Sequence, residues 1–313
     1  MSALAAVLIR PRSRSGPADH AASPRRQDAG ALGLAHSLAG YRLEAVLGRG
    51  RHSIVYLARQ PQGAQIVALK VGRETRLEGM DAKQDFGGEF GVLSALAHSH
   101  VIRVFDHGES DGEAYLAMEY AAGGRMAPYS APVSAARMVT RLREAASALG
   151  WLHTNGWVHR DVKPANLLLR ADGSLALGDF GCACRRGNAG ALPPGTVVGT
   201  PRYAAPEQSA GAPAQPTADV YSLGVCLYEM LTGKPLYPGR TLAELLGQHL
   251  LAAIPRLARD QAAWQPLLDA MLAKDPAQRP ADGRAVLALL ERAGRVLWQP
   301  HGRGSSHESR NPS

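Results

Sequence analysis

The sequence predicts an α+β chain of two lobes, a small antiparallel β-sheet lobe with one main helix followed by a larger, mostly α-helical lobe. Short β-type runs bounded by turn residues crowd residues 41–120. Helical periodicity takes over after residue 134, and Gly123-Gly124 stands between the two regimes as an expected flexible joint.

In the first lobe, strands are expected over Arg42 to Leu47, Ser53 to Arg59, Gln65 to Val71, Val101 to His107 and Ala114 to Tyr120. One helix, Asp81 to Ala97, interrupts them. In the second lobe, Ala135, Met138, Val139, Leu142, Ala145, Ala146, Leu149 and Leu152 recur at helical spacing, with Ser134 as the N-cap. Further helices are expected over Thr217 to Thr232, Thr241 to Leu251, Trp264 to Ala273 and Arg284 to Trp298. Residues 1–39 are rich in Ala, Arg, Ser, Gly and Pro without apolar periodicity and read as a disordered basic leader; residues 299–313 read as a disordered tail. The folded domain is therefore expected over residues 40–298, its N-lobe about 40–121 and its C-lobe about 122–298.

With 313 residues and 45% hydrophobic content the chain can bury a sizeable core, which excludes disorder throughout. The formal charge of +8 raises nucleic acid or a membrane surface as partners. Its placement argues against both, because residues 1–39 carry net +3 and residues 299–313 net +1, about half of the surplus. Cys182, Cys184 and Cys226 are too few for a disulfide framework and suit a reducing compartment, so a cytoplasmic location is expected. The apolar run Ser2 to Ile9 is too short to span a bilayer and its arginines follow it, so it reads as neither signal peptide nor anchor. No membrane segment is expected.

Between the first two expected strands lies Gly48-Arg49-Gly50-Arg51-His52-Ser53-Ile54-Val55. Glycines there let backbone amides close over phosphates, with Val55 able to cover a base. Ser53 replaces a third glycine, and by itself the fragment reads as a plain strand turn. Lys70, in Val67-Ala68-Leu69-Lys70 on the third strand, changes that reading, since its ammonium can pair with phosphates. Such a lysine needs a carboxylate. Glu89, on the expected helix, is preferred to Glu74 and Glu78, which fall in a loop.

The most specific stretch is His159-Arg160-Asp161, then Asn166, then Asp179-Phe180-Gly181, which matches the layout by which protein kinases transfer phosphate from ATP. Asp161 would accept or orient the substrate hydroxyl proton, Lys163 would offset charge on the γ-phosphate, and Asn166 and Asp179 would hold Mg²⁺. His159 and Phe180 are expected to pack and hold the two aspartates in place.

From about Tyr41 to about Gly294 the chain resembles the eukaryotic-like serine/threonine protein kinases of bacterial type. Gly199-Thr200-Pro201-Arg202-Tyr203-Ala204-Ala205-Pro206-Glu207-Gln208 is similar to that family's substrate-positioning loop, and Asp219-Val220-Tyr221-Ser222-Leu223-Gly224, Asp275-Pro276 and Arg279-Pro280 also match. The resemblance implies the two-lobed protein-kinase fold, a Glu207–Arg279 pair, support of the catalytic loop by Asp219, and a hinge of Met118, Glu119, Tyr120 and Ala121. It implies ATP and Mg²⁺, with Leu47, Gly48, Gly50, Ser53, Val55, Ala68, Lys70, Met118, Glu119, Ala121 and Leu168 about the nucleotide. Lys163 in Asp161-Val162-Lys163-Pro164, with Thr200, resembles the Ser/Thr class rather than the tyrosine kinases. Arg125 and Ala165 stand where many basophilic relatives place glutamates, so a preference for arginine upstream of the target is not expected.

Between Gly181 and Pro206 the hydroxyl residues other than Tyr203 are Thr196 and Thr200. Thr200 is expected at the active site. Thr196 is thus the expected autophosphorylation site, with Arg160 and Arg185 as a phosphate pocket and a kinase–kinase dimer as the route. Gly87, Gly88 and Gly91 are expected to weaken the helix of Glu89 and make it the regulated element. Cys182-Ala183-Cys184 lacks the further ligands of a zinc site and reads as packing; His98, His100 and His107 read as structural or surface residues. Two other readings stay in view. A pseudokinase-type binding scaffold would have lost Lys70, Asp161 or Asp179, and a small-molecule phosphotransferase would lack the Thr200 to Glu207 segment.

Overall fold

A computed structural model describes residues 37–50, 53–61, 63, 65–72, 82–94, 97–126, 134–188 and 198–297. The expected leader before residue 37, the tail, Glu74, Glu78 and Thr196 lie outside the described residues.

The first lobe is an antiparallel sheet of β1 (Ser37–Leu38), β2 (Tyr41–Arg49), β3 (Ser53–Arg59), β4 (Ile66–Gly72), β5 (Val104–Ser110) and β6 (Glu113–Glu119), in the order β1-β2-β3-β4-β6-β5. β1 corrects the expected domain start. Leu38 pairs with Tyr41 and is buried in the cluster of Tyr41, Tyr56, Val67, Leu69 and Val71, so ordered chain begins before residue 40. A two-residue strand is too short to show alternation. Pleating in β4 sends Val67, Leu69 and Val71 into that cluster and turns Ala68 and Lys70 to the opposite face. α1 (Ala82–Ser94) is shorter than expected; its Val92 and Leu93 join the large core of the second lobe.

Gly123-Gly124, the expected joint, is tied to the second lobe by backbone hydrogen bonds. The Gly123 N–H donates to the Leu169 carbonyl at 2.7 Å, and β7 (Gly124–Arg125) pairs with β9 (Leu167–Leu169). A Cβ at Gly123 would lie 2.7 Å from the Leu169 carbonyl oxygen and 2.8 Å from that of Arg170. Close backbone approach, rather than mobility, demands glycine there.

The second lobe comprises α2 (Ala135–Thr154), β8 (Trp157–Val158), β9, β10 (Leu175–Leu177), β11 (Cys184–Arg185), α3 (Pro206–Ser209), α4 (Pro216–Thr232), α5 (Leu242–Leu251), α6 (Gln265–Met271) and α7 (Gly283–Leu297). Ser134 caps α2, its Oγ accepting from the Arg137 N–H. α4 is the axis of the lobe, with Val220, Tyr221, Leu223, Val225, Cys226 and Leu227 wholly buried, and it ends at Gly233 in the left-handed conformation. α2 and α7 touch backbone to backbone at Gly150 and Gly283, where a Cβ on Gly283 would sit 2.3 Å from the Gly150 nitrogen. No helix among the described residues is long and apolar enough to cross a membrane.

Candidate active site

The cleft between the lobes is roofed by the β2–β3 hairpin. Gly48 pairs with Val55, and the Gly50 N–H donates to the Ser53 carbonyl at 2.8 Å, which tightens the turn. Leu47, Val55, Ala68, Met118, Ala121 and Leu168, far apart in the chain, meet in one apolar cluster. Ile102, Ala114, Leu116 and Ala176 are buried in the same cluster, and Phe90 and Val104 pack against it. The sequence does not single these residues out, because an apolar residue looks the same in any part of a core. The Glu119 carboxylate pairs with Arg170 and also accepts from the Arg103 N–H at 3.3 Å, and the Glu119 N–H donates to the Arg103 carbonyl at 2.8 Å. Arg125 lies against the roof, its Nη2 2.7 Å from where a Cβ on Gly48 would be.

Beneath the roof, Lys70 and Glu89 meet. The Lys70 Nζ lies 2.7 Å from the Glu89 Oε2 and 2.8 Å from the Asp179 Oδ1. The other Glu89 oxygen accepts from the Phe180 N–H at 2.9 Å, so a side chain only 1% exposed has both oxygens satisfied. Burial alone would lower the Lys70 pKa, but the carboxylates of Glu89 and Asp179 outweigh it and hold the ammonium above the ordinary lysine range. Desolvation is the largest single influence on Asp179 and pushes it upward, but Lys70, joined by His159 and Lys163, holds the carboxylate below the ordinary aspartate range. Asp179 has a φ of 60°, a left-handed conformation uncommon outside glycine and concentrated at functional positions.

The floor is the loop between β8 and β9. The Asp161 Oδ1 accepts from the Thr200 hydroxyl at 2.8 Å and its Oδ2 from Lys163 at 2.6 Å; Lys163 also donates to the Thr200 Oγ1 at 2.8 Å. Two residues from one loop and one from almost forty positions later thus close a triangle. Asn166 donates from Nδ2 to the Asp161 carbonyl at 2.8 Å and to its Oδ2 at 3.2 Å. The loop hangs on Asp219, whose carboxylate accepts from the His159 N–H at 2.7 Å, the Arg160 N–H at 2.8 Å and the His153 ring at 2.9 Å. Burial pushes Asp219 upward, but these donors hold it below the ordinary aspartate range. His159 packs edge-on against Phe180 with ring centres 4.8 Å apart. Its Nδ1 faces the Asp161 N–H, so the Nε2–H donates to the Gly178 carbonyl at 3.2 Å.

Asn166 uses its amide hydrogens on Asp161, which leaves the carbonyl oxygen; Asp179 engages Lys70 through one oxygen, which leaves the other. Two oxygen donors suit Mg²⁺, which takes its remaining ligands from phosphates and water. No cluster of three or more His, Cys, Asp or Glu among the described residues offers a caged metal site. Burial, then Asp161 and Asp179, push the Cys182 thiol up to about 11, so it is inert as a nucleophile, and Cys184 alone of the two lies on β11. His98 packs on Trp151, His100 bonds the Leu175 carbonyl and His107 stacks on Phe90, all structural contacts.

Arg160, with a φ of 65°, donates from Nε to the Cys182 carbonyl at 2.7 Å, while Arg185 lies over the Trp157 ring at 4.3 Å. The Glu207 carboxylate and the Arg279 guanidinium form a two-pronged pair at 2.6 and 2.9 Å.

Residues 41–289 match the family described as Protein kinase domain. The serine/threonine-protein kinase PknJ of Mycobacterium tuberculosis is 37% identical over 265 residues, covering 79% of this chain and 45% of its own length. PknE of the same organism is 36% identical over 245 residues, covering 77% and 43%, and the serine/threonine-protein kinase drp72 of Corynebacterium efficiens is 34% identical over 276 residues, covering 83% and 52%. The chain therefore spans about half the length of these relatives.

Proposed function

The chain belongs to the protein kinase family, and on that premise we propose that it transfers the γ-phosphate of ATP to serine and threonine hydroxyls of proteins. The observation that carries this reading is the Asp161–Lys163–Thr200 triangle standing in one cleft with Asn166, Asp179 and the Lys70–Glu89 pair. An acceptor hydroxyl entering beside Thr200 meets the Asp161 carboxyl group, which can take its proton or orient it. Its oxygen then forms a bond to the γ-phosphorus as the bond to the bridging oxygen breaks, and ADP departs. Lys70, fixed by Glu89, grips the α- and β-phosphates, and Lys163 offsets charge on the group in transfer. Asn166 and Asp179 would hold Mg²⁺, which when bound would neutralise charge on the phosphate oxygens. The apolar slot takes the adenine between Val55 and Leu168.

The same reading assigns Thr196 as an autophosphorylation site reached in a transient kinase–kinase dimer, a cytoplasmic setting and a part in signalling. Purified protein with labelled ATP and Mg²⁺ should phosphorylate protein or peptide and itself. Lys70→Met, Asp161→Asn and Asp179→Asn should each lower transfer by roughly 10²-fold or more with the fold retained. Turnover by Asp161→Asn equal to the parent would refute the proposal, and loss of ATP binding together with transfer in a folded parent would favour a scaffold.

A further inference from the structure

α5 inverts the ordinary rule of burial. Three of its five leucines are exposed, Leu242 51%, Leu250 55% and Leu251 81%, and Leu245 and Leu246 are half-buried, while the one side chain of the helix that is fully buried is His249, at 1%. Burying an imidazole and exposing leucine is unfavourable unless the ring is fully hydrogen-bonded and needed where it is. It is fully bonded. The His249 Nε2 lies 2.9 Å from the Arg202 carbonyl oxygen and its Nδ1 2.9 Å from the Tyr221 hydroxyl. A carbonyl only accepts, so the ring proton is on Nε2, and the Tyr221 O–H donates to Nδ1. Burial holds the ring neutral, its pKa pushed down to about 4, which fits this single-proton arrangement. Tyr237 meets the ring edge-on at 5.1 Å, and Lys274 donates to the His249 carbonyl at 2.6 Å and the Tyr237 hydroxyl at 2.9 Å, locking the last turn of α5.

Arg202 belongs to the stretch 199–203 that lines the place of the acceptor. Thr200 anchors one end on Asp161, and Tyr203 anchors the other on α4 by accepting from Ser222 at 2.7 Å and donating to Glu229 at 2.8 Å. Between them, the hydrogen bond from His249 holds the Arg202 carbonyl. We infer that His249 is a positioning residue for the peptide acceptor, acting through Arg202 on the stretch that holds the substrate hydroxyl at Asp161. The inference rests on the kinase reading above and deepens it, because the ATP slot and the Lys70–Glu89 pair lie on the other side of the cleft and owe nothing to α5.

The test uses a synthetic serine peptide, chosen from an array because the parent chain phosphorylates it, and compares peptide KM, ATP KM and peptide-independent ATP hydrolysis. His249→Leu removes both ring contacts and should raise peptide KM about tenfold, with ATP KM and basal hydrolysis within about twofold of the parent. His249→Gln places an amide N–H near the position of Nε2 and should recover most of the loss. Unchanged peptide KM in His249→Leu, equal losses in all three measurements, or a Gln variant no better than Leu would overturn the assignment. Should His249→Leu fail to fold, Tyr221→Phe decides: the ring keeps its Nε2–H but loses the donor on Nδ1 that fixes its orientation against the Arg202 carbonyl, and peptide KM should rise about threefold at constant ATP KM. No rise in that variant overturns the proposal equally. A parent chain that phosphorylates no peptide refutes the kinase reading itself.

Discussion

Alanine at Gly87 and Gly91 should tighten α1 and raise the activity of the chain before the proposed autophosphorylation. A Cβ built at Gly87, Gly88 or Gly91 meets no heavy atom within 4 Å among the described residues, so close packing against them does not explain these glycines. Each replacement then recovers the helix preference of alanine, about 0.8 to 1 kcal/mol, without a steric penalty. The double variant should stabilise formed α1 by about 2 kcal/mol, multiplying the ratio of formed to frayed helix by roughly 30. Glu89 reaches Lys70 and the Phe180 N–H only from the formed helix, so that ratio feeds directly into the fraction of molecules with an assembled cleft. Native-state hydrogen exchange reads it at Val92 and Leu93, whose amides should exchange roughly 30-fold more slowly. In parallel, the ratio of transfer rates after and before autophosphorylation should fall towards one. Unchanged exchange and an unchanged ratio, with the fold preserved, would refute the reasoning.

Glu229 is 1% exposed with one carboxylate oxygen lacking a hydrogen bond, and burial, opposed by Tyr203 and Arg202, pushes its pKa up to about 7 from an ordinary 4.5. The ionised form is the disfavoured one, so stability should decline as pH rises from 4.5 to about 7 and level off above. Glu229→Gln should remove that slope and gain roughly 2 to 3 kcal/mol at pH 8, with little change near pH 4. Denaturant melts at both pH values check it, and parallel shifts would count against it. Glu207→Ala strands a guanidinium whose side chain has no exposure and should cost about 3 to 5 kcal/mol, read as a fall in Tm; a shift under about 2 °C would contradict the pairing. Gly123→Ala should destabilise, opposite in sign to Gly87→Ala, because its Cβ is driven onto the Leu169 and Arg170 carbonyls; equal melting of the two variants would disprove the close-approach argument.

The order of the two lobes, the helix of residues 135–154 with its Ser134 cap, and the group Asp161, Lys163, Asn166 and Asp179 could all be read from the chain alone. Periodicity is a local property, and these four side chains sit within twenty positions of one another, so short-range spacing carries the information. Other features depended on what packs against what. Three glutamates competed for Lys70, and burial of Glu89 beneath the sheet shows which one meets it. Gly123 looked like a hinge until the Leu169 carbonyl stood 2.7 Å from its missing Cβ. Glu119 pairs its carboxylate with Arg170, fifty-one residues later, and no local pattern announces that partner. The Arg202 contact of His249 joins residues 47 positions apart, and no spacing rule reports it. Sequence by itself determined which residue types and which elements exist; only the tertiary structure decided which carboxylates, carbonyls and glycines face one another, because those contacts are selected by long-range burial and the need to satisfy every buried polar group.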